Sequence, residues 1–369
     1  MNNLFDYLEC RGDISLDEDP FNEVDNVVLS ELAYVSYGGI VPRDGKPVPV
    51  SEVREAFFAP GQREALREES NHIARAPLLL DSIAAGKRFG AAELTGYVDI
   101  VDTDETVQMS AVTFLLGDGT AFAAFRGTDG TVVGWKENFS MSFLPATEGQ
   151  RRAVEYMNMI GRMTERPLRA GGHSKGGNFA VYASAFCDRE VRDRITDIYT
   201  NDGPGFRAEV IRTEEYKSIT GRVTNIVPDT SVTGMLLGSS VRPKYIKSSA
   251  YGIAQHDPTT WKVGKNRFMR STPSELGLFI MKSQKDWLSK LDDEDRAHFV
   301  DTLFTIIEST GAGTLDELSI NRLRSSSEMW NSIRGMTKER QREMNRIIGE
   351  LLHSGTQTAR KTIAGKRKQ

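Results

Sequence analysis

The sequence predicts an α/β fold with a mostly parallel sheet flanked by helices. Three observations carry that prediction. Strand-like and helix-like runs alternate from Leu94 to about Ala250. A glycine-rich turn, "GGHSKGGN" at Gly171–Asn178, lies between a short strand-like run and an apolar helix. From Ser274 onward strand character stops and only helical periodicity continues.

Taken in order, residues 1–24 read as an acidic, irregular arm. The run "DNVVLSELAYVSYGGIV" then suits a helix. Asp25 is its expected cap, and Val28, Leu29, Leu32 and Val35 form one stripe. Residues 51–90 read as further helices. β-rich runs follow in "LTGYVDIVD" and "TVQMSAVTFLLGDGTAFAAFRG", with Asp118-Gly119 as a hairpin turn inside the second. Next come a helix in "TEGQRRAVEYMNMIGRM", the short run "PLRAGG", and an apolar helix in "KGGNFAVYASAFC". Strands in "ITDIYTND", "GRVTNIVP" and "KYIKSSA" complete the alternation, with a helix in "GFRAEVIRTEEYKSI" between the first two. The later helices have Ser274 and Asp292 or Asp293 as expected caps. The expected organisation is an arm at 1–24, a main domain at 25–270, a helical segment at 271–355 and a basic tail at 356–369.

Composition narrows the class. The chain has 369 residues, 39% hydrophobic and 27% charged, as in a soluble globular protein. A net charge of −4 gives no global field for nucleic acid. The two cysteines, Cys10 and Cys187, stand far apart with no CxxC spacing, so neither a disulfide framework nor a zinc site is expected. No metal-ligand cluster is visible in the sequence, and no cofactor is expected. The first residues lack a signal-peptide pattern, and no apolar run reaches membrane-spanning length. The expected location is the cytoplasm.

Gly172-His173-Ser174-Lys175-Gly176 fits the G-x-S-x-G nucleophile elbow of α/β-hydrolases. Small residues are required there because the serine backbone turns sharply between strand and helix. The helix that follows aims its positive end at the serine, and the next N–H can hold an oxyanion. A phosphate-binding loop would need G-x-x-x-x-G-K-[ST], which is absent, and G-x-G-x-x-G fails on spacing. Ser174 is therefore the candidate nucleophile.

The base follows by elimination among five histidines. His72, His298 and His353 fall in helical patterns outside the α/β core. His173 sits inside the elbow, with its side chain turned away from the neighbouring hydroxyl. His256, in "GIAQHDPTTW", lies on a loop after the last strand-like run, matching the order nucleophile, acid, histidine. Two aspartates end strands between Ser174 and His256. Asp229 is the favoured acid and Asp202 the alternative. Either would fix the imidazole tautomer and stabilise the imidazolium.

These residues resemble a known family. "AFAAFRGTDGTVVGWKENF", "GGHSKGG", "NDGPGF", "VTNIVPD" and "QHDPTTW" occur in the order seen in class 3 lipases. More closely, they are similar to the bacterial Mbeg1-like branch of the α/β-hydrolases. The resemblance runs from about Asp25 to Trp261. It implies an oxyanion role for Thr128 in the "FRGT" turn, with the N–H of Lys175 as second donor, and a lid-like region around Trp135 and Asn138. The lipases commonly write the acid before Val-Pro, whereas here Asp229 follows it, so Asp202 stays open.

The implied reaction is hydrolysis of a carboxylic ester through an acyl-enzyme, without metal or cofactor. The substrate is a small-molecule or lipid ester. The rival expectation is a non-catalytic scaffold of the same fold that binds or regulates. The tail, with Arg360, Lys361, Lys366, Arg367 and Lys368, offers a weak contact to an anionic membrane surface.

Overall fold

A computed structural model describes residues 3–69, 71–234, 237–314, 317, 322–342, 344–347 and 349. Eight strands pair in sequence order: β1 (Val48–Pro49), β2 (Glu93–Asp102), β3 (Val107–Leu115), β4 (Ala121–Phe125), β5 (Leu168–His173), β6 (Ile195–Asn201), β7 (Val223–Pro228) and β8 (Lys244–Ile246). β4 through β8 run parallel. The pairs β1–β2 and β3–β4 are antiparallel, so the sheet is mixed, with its parallel part at β4–β8. The reason is local. β3 and β4 are joined by the tight turn at Asp118-Gly119, with Gly119 at φ 80°, and so short a connection can only reverse the chain.

Helices make up the other long elements. In chain order they are α1 (Leu4–Arg11), α2 (Glu23–Leu32), α3 (Val50–Phe57), α4 (Gln62–Arg67), α5 (His72–Ala85), α6 (Lys87–Gly90), α7 (Val132–Ser140), α8 (Glu148–Met163), α9 (Lys175–Phe186), α10 (Arg189–Asp193), α11 (Ala208–Ile211), α12 (Glu214–Ile219), α13 (Glu275–Leu288) and α14 (Asp293–Glu308). A further helix covers Arg322–Gly335. Right-handed crossovers between successive neighbours put the connecting helices on one face. Adjacent residues of β5 report the two faces, because side chains alternate along a strand. A Cβ on Gly172 would come within 2.6 Å of Phe125 O and strike the Gly176 backbone of α9. A Cβ on Gly171 would lie 2.6 Å from Asn26 Oδ1 of α2. Thus α9 covers one face and α2 the other.

The acidic arm is built into the core. Leu4, Tyr7, Leu8 and Leu16 are buried with the α2 stripe. Asn22, not Asp25, caps α2. Asp25 is the third helical residue of a capping box and accepts from Asn22 N at 2.9 Å. Its carboxylate also takes Arg88 Nε at 2.6 Å, with both side chains fully buried. Arg88 further donates to the main-chain oxygens of Ile14, Asp19 and Pro20, tying the arm down.

Contacts divide the chain into two units. The first holds residues 1–100, 109–129 and 149–273, and so nearly all of the sheet. The second holds 101–108, 130–148 and 274–369. Within the second, Val132, Val300 and Phe304 form a small core with Phe143, Phe299, Leu303 and Ile307 against it. Ser274 and Asp292 cap α13 and α14, as their positions predict. Among the described residues no helix is long and apolar enough to cross a membrane. The basic tail at 356–369 and His353 lie outside the described residues.

Candidate active site

β5 and α9 meet at Ser174, where the backbone takes φ 55° and ψ −131°. A residue with a side chain adopts this conformation only when its surroundings hold it there. The surroundings are backbone. Ser174 N donates to Asn201 O at 2.9 Å, and Gly177 N to Ser174 O at 2.9 Å. A Cβ on Gly176 would overlap Phe125 O, so glycine alone lets α9 start this close to β4. Ser174 is 8% exposed.

The next parallel strand, β6, is followed at once by Asp202, also at positive φ (52°). In register, His173 pairs with Asn201, so Ser174 and Asp202 leave neighbouring strand ends side by side. His256 Nδ1 lies 2.7 Å from Asp202 Oδ2. Asp202 Oδ1 accepts from Ser231 Oγ and from Gly234 N, the latter at 3.1 Å. Both carboxylate oxygens are therefore occupied, and the acid is 1% exposed. It cannot swing without breaking buried bonds.

Asp229, the favoured acid from sequence, is directed elsewhere. Its Oδ1 accepts from Gln255 Nε2 at 3.0 Å and its Oδ2 from Ser271 Oγ at 2.8 Å. The physical reason is sheet order. β7 lies one strand further from β5 than β6 does, and two strand spacings amount to about 10 Å. Asp229 instead anchors the histidine loop. Gln255 Oε1 accepts from Thr230 N at 2.9 Å, and Gln255 O from Trp261 Nε1 at 2.8 Å.

His173 touches the histidine loop. Its Nε2–H donates to His256 O at 2.8 Å, and the two rings lie 4.5 Å apart. Its Nδ1 is 3.1 Å from Tyr34 Oη. Burial drives the Tyr34 phenol well above its ordinary pKa, so the hydroxyl keeps its proton and donates it. Tyr34 Oη also receives the Gly127 N–H. One phenol thus links the "FRGT" turn to the elbow. His72 is not a bystander in a remote helix: its Nδ1 is 2.8 Å from Glu31 Oε2, and its ring packs edge-on against His173.

The "FRGT" turn lies against the nucleophile. A Cβ on Gly127 would come within 2.6 Å of His173 O and 3.1 Å of Ser174 Cβ. Arg126 shapes the turn, reaching Asp99 at 2.7 Å and Asp129 at 3.1 Å from Nη2. Thr128 follows at 9% exposure. Lys175 opens α9, where main-chain N–H groups point out along the helix axis. Its side chain is buried, with Nζ 5.3 Å from the Phe179 ring centre. Trp135 and Asn138 fall on α7, in the second unit.

Sequence reasoning missed three supporting asparagines. Asn178 Nδ2 donates to Gly205 O at 2.8 Å and Pro204 O at 3.2 Å, clamping the acid's turn onto α9. Gln150 Nε2 donates to Asn178 Oδ1 at 2.8 Å. Asn201 and Asn26 exchange side-chain bonds of 2.8 and 3.0 Å between β6 and α2. The only signal was an amide directly beside each motif, at "GGN" and "ND".

A family model described as Mbeg1-like matches residues 83–305, more than half of the chain. The chain belongs to the Mbeg1-like family. The matched span takes in β2–β8, Ser174, Asp202 and His256. The Mbeg1-like match begins after α2 and most of α5, so Glu31, Tyr34 and His72 lie before it. No curated protein and no solved structure matches the chain.

Proposed function

We propose that this Mbeg1-like protein is a serine hydrolase of the α/β-hydrolase type that cleaves carboxylic esters through an acyl-enzyme. One observation carries the reading: a strained serine (φ 55°) at a strand-to-helix turn, next to a strand end where buried Asp202 meets the half-buried His256 at 2.7 Å. Strain of this kind is retained where a side chain must be presented, and the order Ser174, Asp202, His256 is that of the α/β-hydrolases.

In the proposed reaction His256 Nε2 takes the Ser174 Oγ proton as the oxygen attacks the ester carbonyl. Asp202 accepts the Nδ1–H, which fixes the tautomer and stabilises the imidazolium. The N–H groups of Thr128 and Lys175 hold the oxyanion, helped by the positive end of α9. His256 then protonates the departing alkoxide, and water releases the acid by the same steps reversed.

The test is labelling with a fluorophosphonate probe, followed by mass mapping. Modification of Ser174 in folded protein, lost in Ser174→Ala, is the expected result. An unlabelled Ser174, with no turnover across nitrophenyl esters of graded chain length, sinks the enzyme and leaves a binding scaffold.

A further inference from the structure

Three segments that are distant in sequence bring chelating side chains together: Glu31 near the end of α2, His72 opening α5, and His173 ending β5. One ligand atom from each, a carboxylate oxygen and two ring nitrogens, lies within 4.8 Å of the other two. Glu31 and His173 are fully buried, and the His72 side chain is 14% exposed.

The hydrogen bonds leave a mismatch at the centre. His173 spends its ring proton on His256 O, so its Nδ1 carries a lone pair. That lone pair stands 3.5 Å from Glu31 Oε1. Oε1 is buried and has no donor. Oε1 is thus a buried acceptor without a donor, facing a ring nitrogen whose lone pair is met by the Tyr34 hydroxyl alone. A cation between them removes the mismatch.

We propose that Glu31, His72 and His173 bind one divalent transition-metal ion of the zinc class. Two imidazole nitrogens with one carboxylate oxygen suit zinc, whereas calcium and magnesium favour oxygen-only shells. Ligands 2.0–2.1 Å from a tetrahedral ion stand about 3.3 Å apart. His72 Nδ1 stands 2.8 Å from Glu31 Oε2 and His173 Nδ1 stands 3.5 Å from Glu31 Oε1, on either side of that value and each to its own carboxylate oxygen. Coordination releases the His72 Nδ1 proton to solvent and the Tyr34 hydroxyl from His173 Nδ1. The fourth position falls to water or to that hydroxyl. The His173 Nε2–H bond to a main-chain oxygen is the outer contact that orients a ligating imidazole. The ion would join α2, α5 and β5, and fix the ring that holds the His256 loop.

The site stands apart from the hydrolase reading, and its test needs no ester turnover. Full-length protein, free of any histidine tag, is stripped with EDTA and titrated with Co²⁺. Visible d–d bands saturating at one equivalent are expected, displaced by Zn²⁺, with a higher unfolding temperature in Zn²⁺ than in EDTA. His72→Ala removes the bands, Glu31→Gln weakens binding at least tenfold, and His298→Ala, in the second unit, changes neither. Absence of cobalt bands in folded wild type overturns the proposal. So does unchanged affinity in His72→Ala. The wild-type titration decides even if a variant does not fold.

Discussion

His256 Nδ1 sits 2.7 Å from Asp202 Oδ2, on a carboxylate whose other oxygen is already held by Ser231 and Gly234. That arrangement aims one acid oxygen at one ring nitrogen. On the hydrolase reading, Asp202→Asn lowers kcat about 10⁴-fold, because the amide favours the wrong tautomer. Asp229→Asn changes it less than about tenfold, since it perturbs the loop anchor at Gln255 and leaves the ring's partner intact. Rates on a nitrophenyl ester for both variants check this. A larger loss in Asp229→Asn returns the acid to β7.

Asn178 closes three polar contacts, two buried ones to Pro204 O and Gln150 Nε2 and a half-buried one to Gly205 O. Asn178→Ala strands all three partners. Each stranded group costs about 1–3 kcal/mol, some of it recovered by relaxation, so a loss of about 2–4 kcal/mol is expected in urea unfolding. A loss under about 0.5 kcal/mol would falsify the clamp.

Gly176 has no room for a methyl group, since its Cβ would overlap Phe125 O in β4. Backbone cannot yield as a flexible side chain can. Gly176→Ala is expected to cost more than about 3 kcal/mol, or to prevent soluble expression. Gly221→Ala, where the added methyl meets nothing within 4 Å, is the matched control and stays near wild type.

Arg88 and Asp25 form a fully buried pair. Removing one partner leaves a buried charge uncompensated. Arg88→Met is expected to lose about 3–5 kcal/mol. It also frees the main-chain oxygens of Ile14, Asp19 and Pro20. Limited proteolysis checks the second consequence, as cleavage within residues 12–21 becomes rapid.

Cys187 is buried, and burial pushes its thiol up to about 12. Thiolate is the reactive form, and a raised pKa keeps the group protonated near pH 8. Cys10 is exposed. Ellman's reagent at pH 8 therefore titrates one thiol in folded protein and two in guanidinium. Two fast thiols in the folded state contradict the packing around Cys187.

Local chemistry made much of this protein legible from sequence. Gly172 and Gly176 around Ser174 mark the elbow because only glycine admits α9 so close to β4, a constraint written within five residues. Asp118-Gly119 marks a reversal because the chain closes the turn at Gly119 with φ above zero, which glycine adopts without strain. Ser274 and Asp292 mark helix starts because caps act over three residues. Asp202 and Asp229 both follow strand-like runs, and local signals alone favour Asp229. Strand order separated them, and order is set by packing among residues far apart in the chain. The same holds for Asp25, whose Arg88 partner stands 63 residues away, and for the acidic arm that this pair pulls into the core.

The sequence by itself determined the alternation of strand and helix, the strained serine and the set of candidate partners, because each depends on side-chain period or turn stereochemistry. Only the tertiary structure decided which acid meets His256. It also decided that His72, Glu31 and His173 share one buried spot, because contacts across 41 to 142 residues follow from sheet register and helix packing.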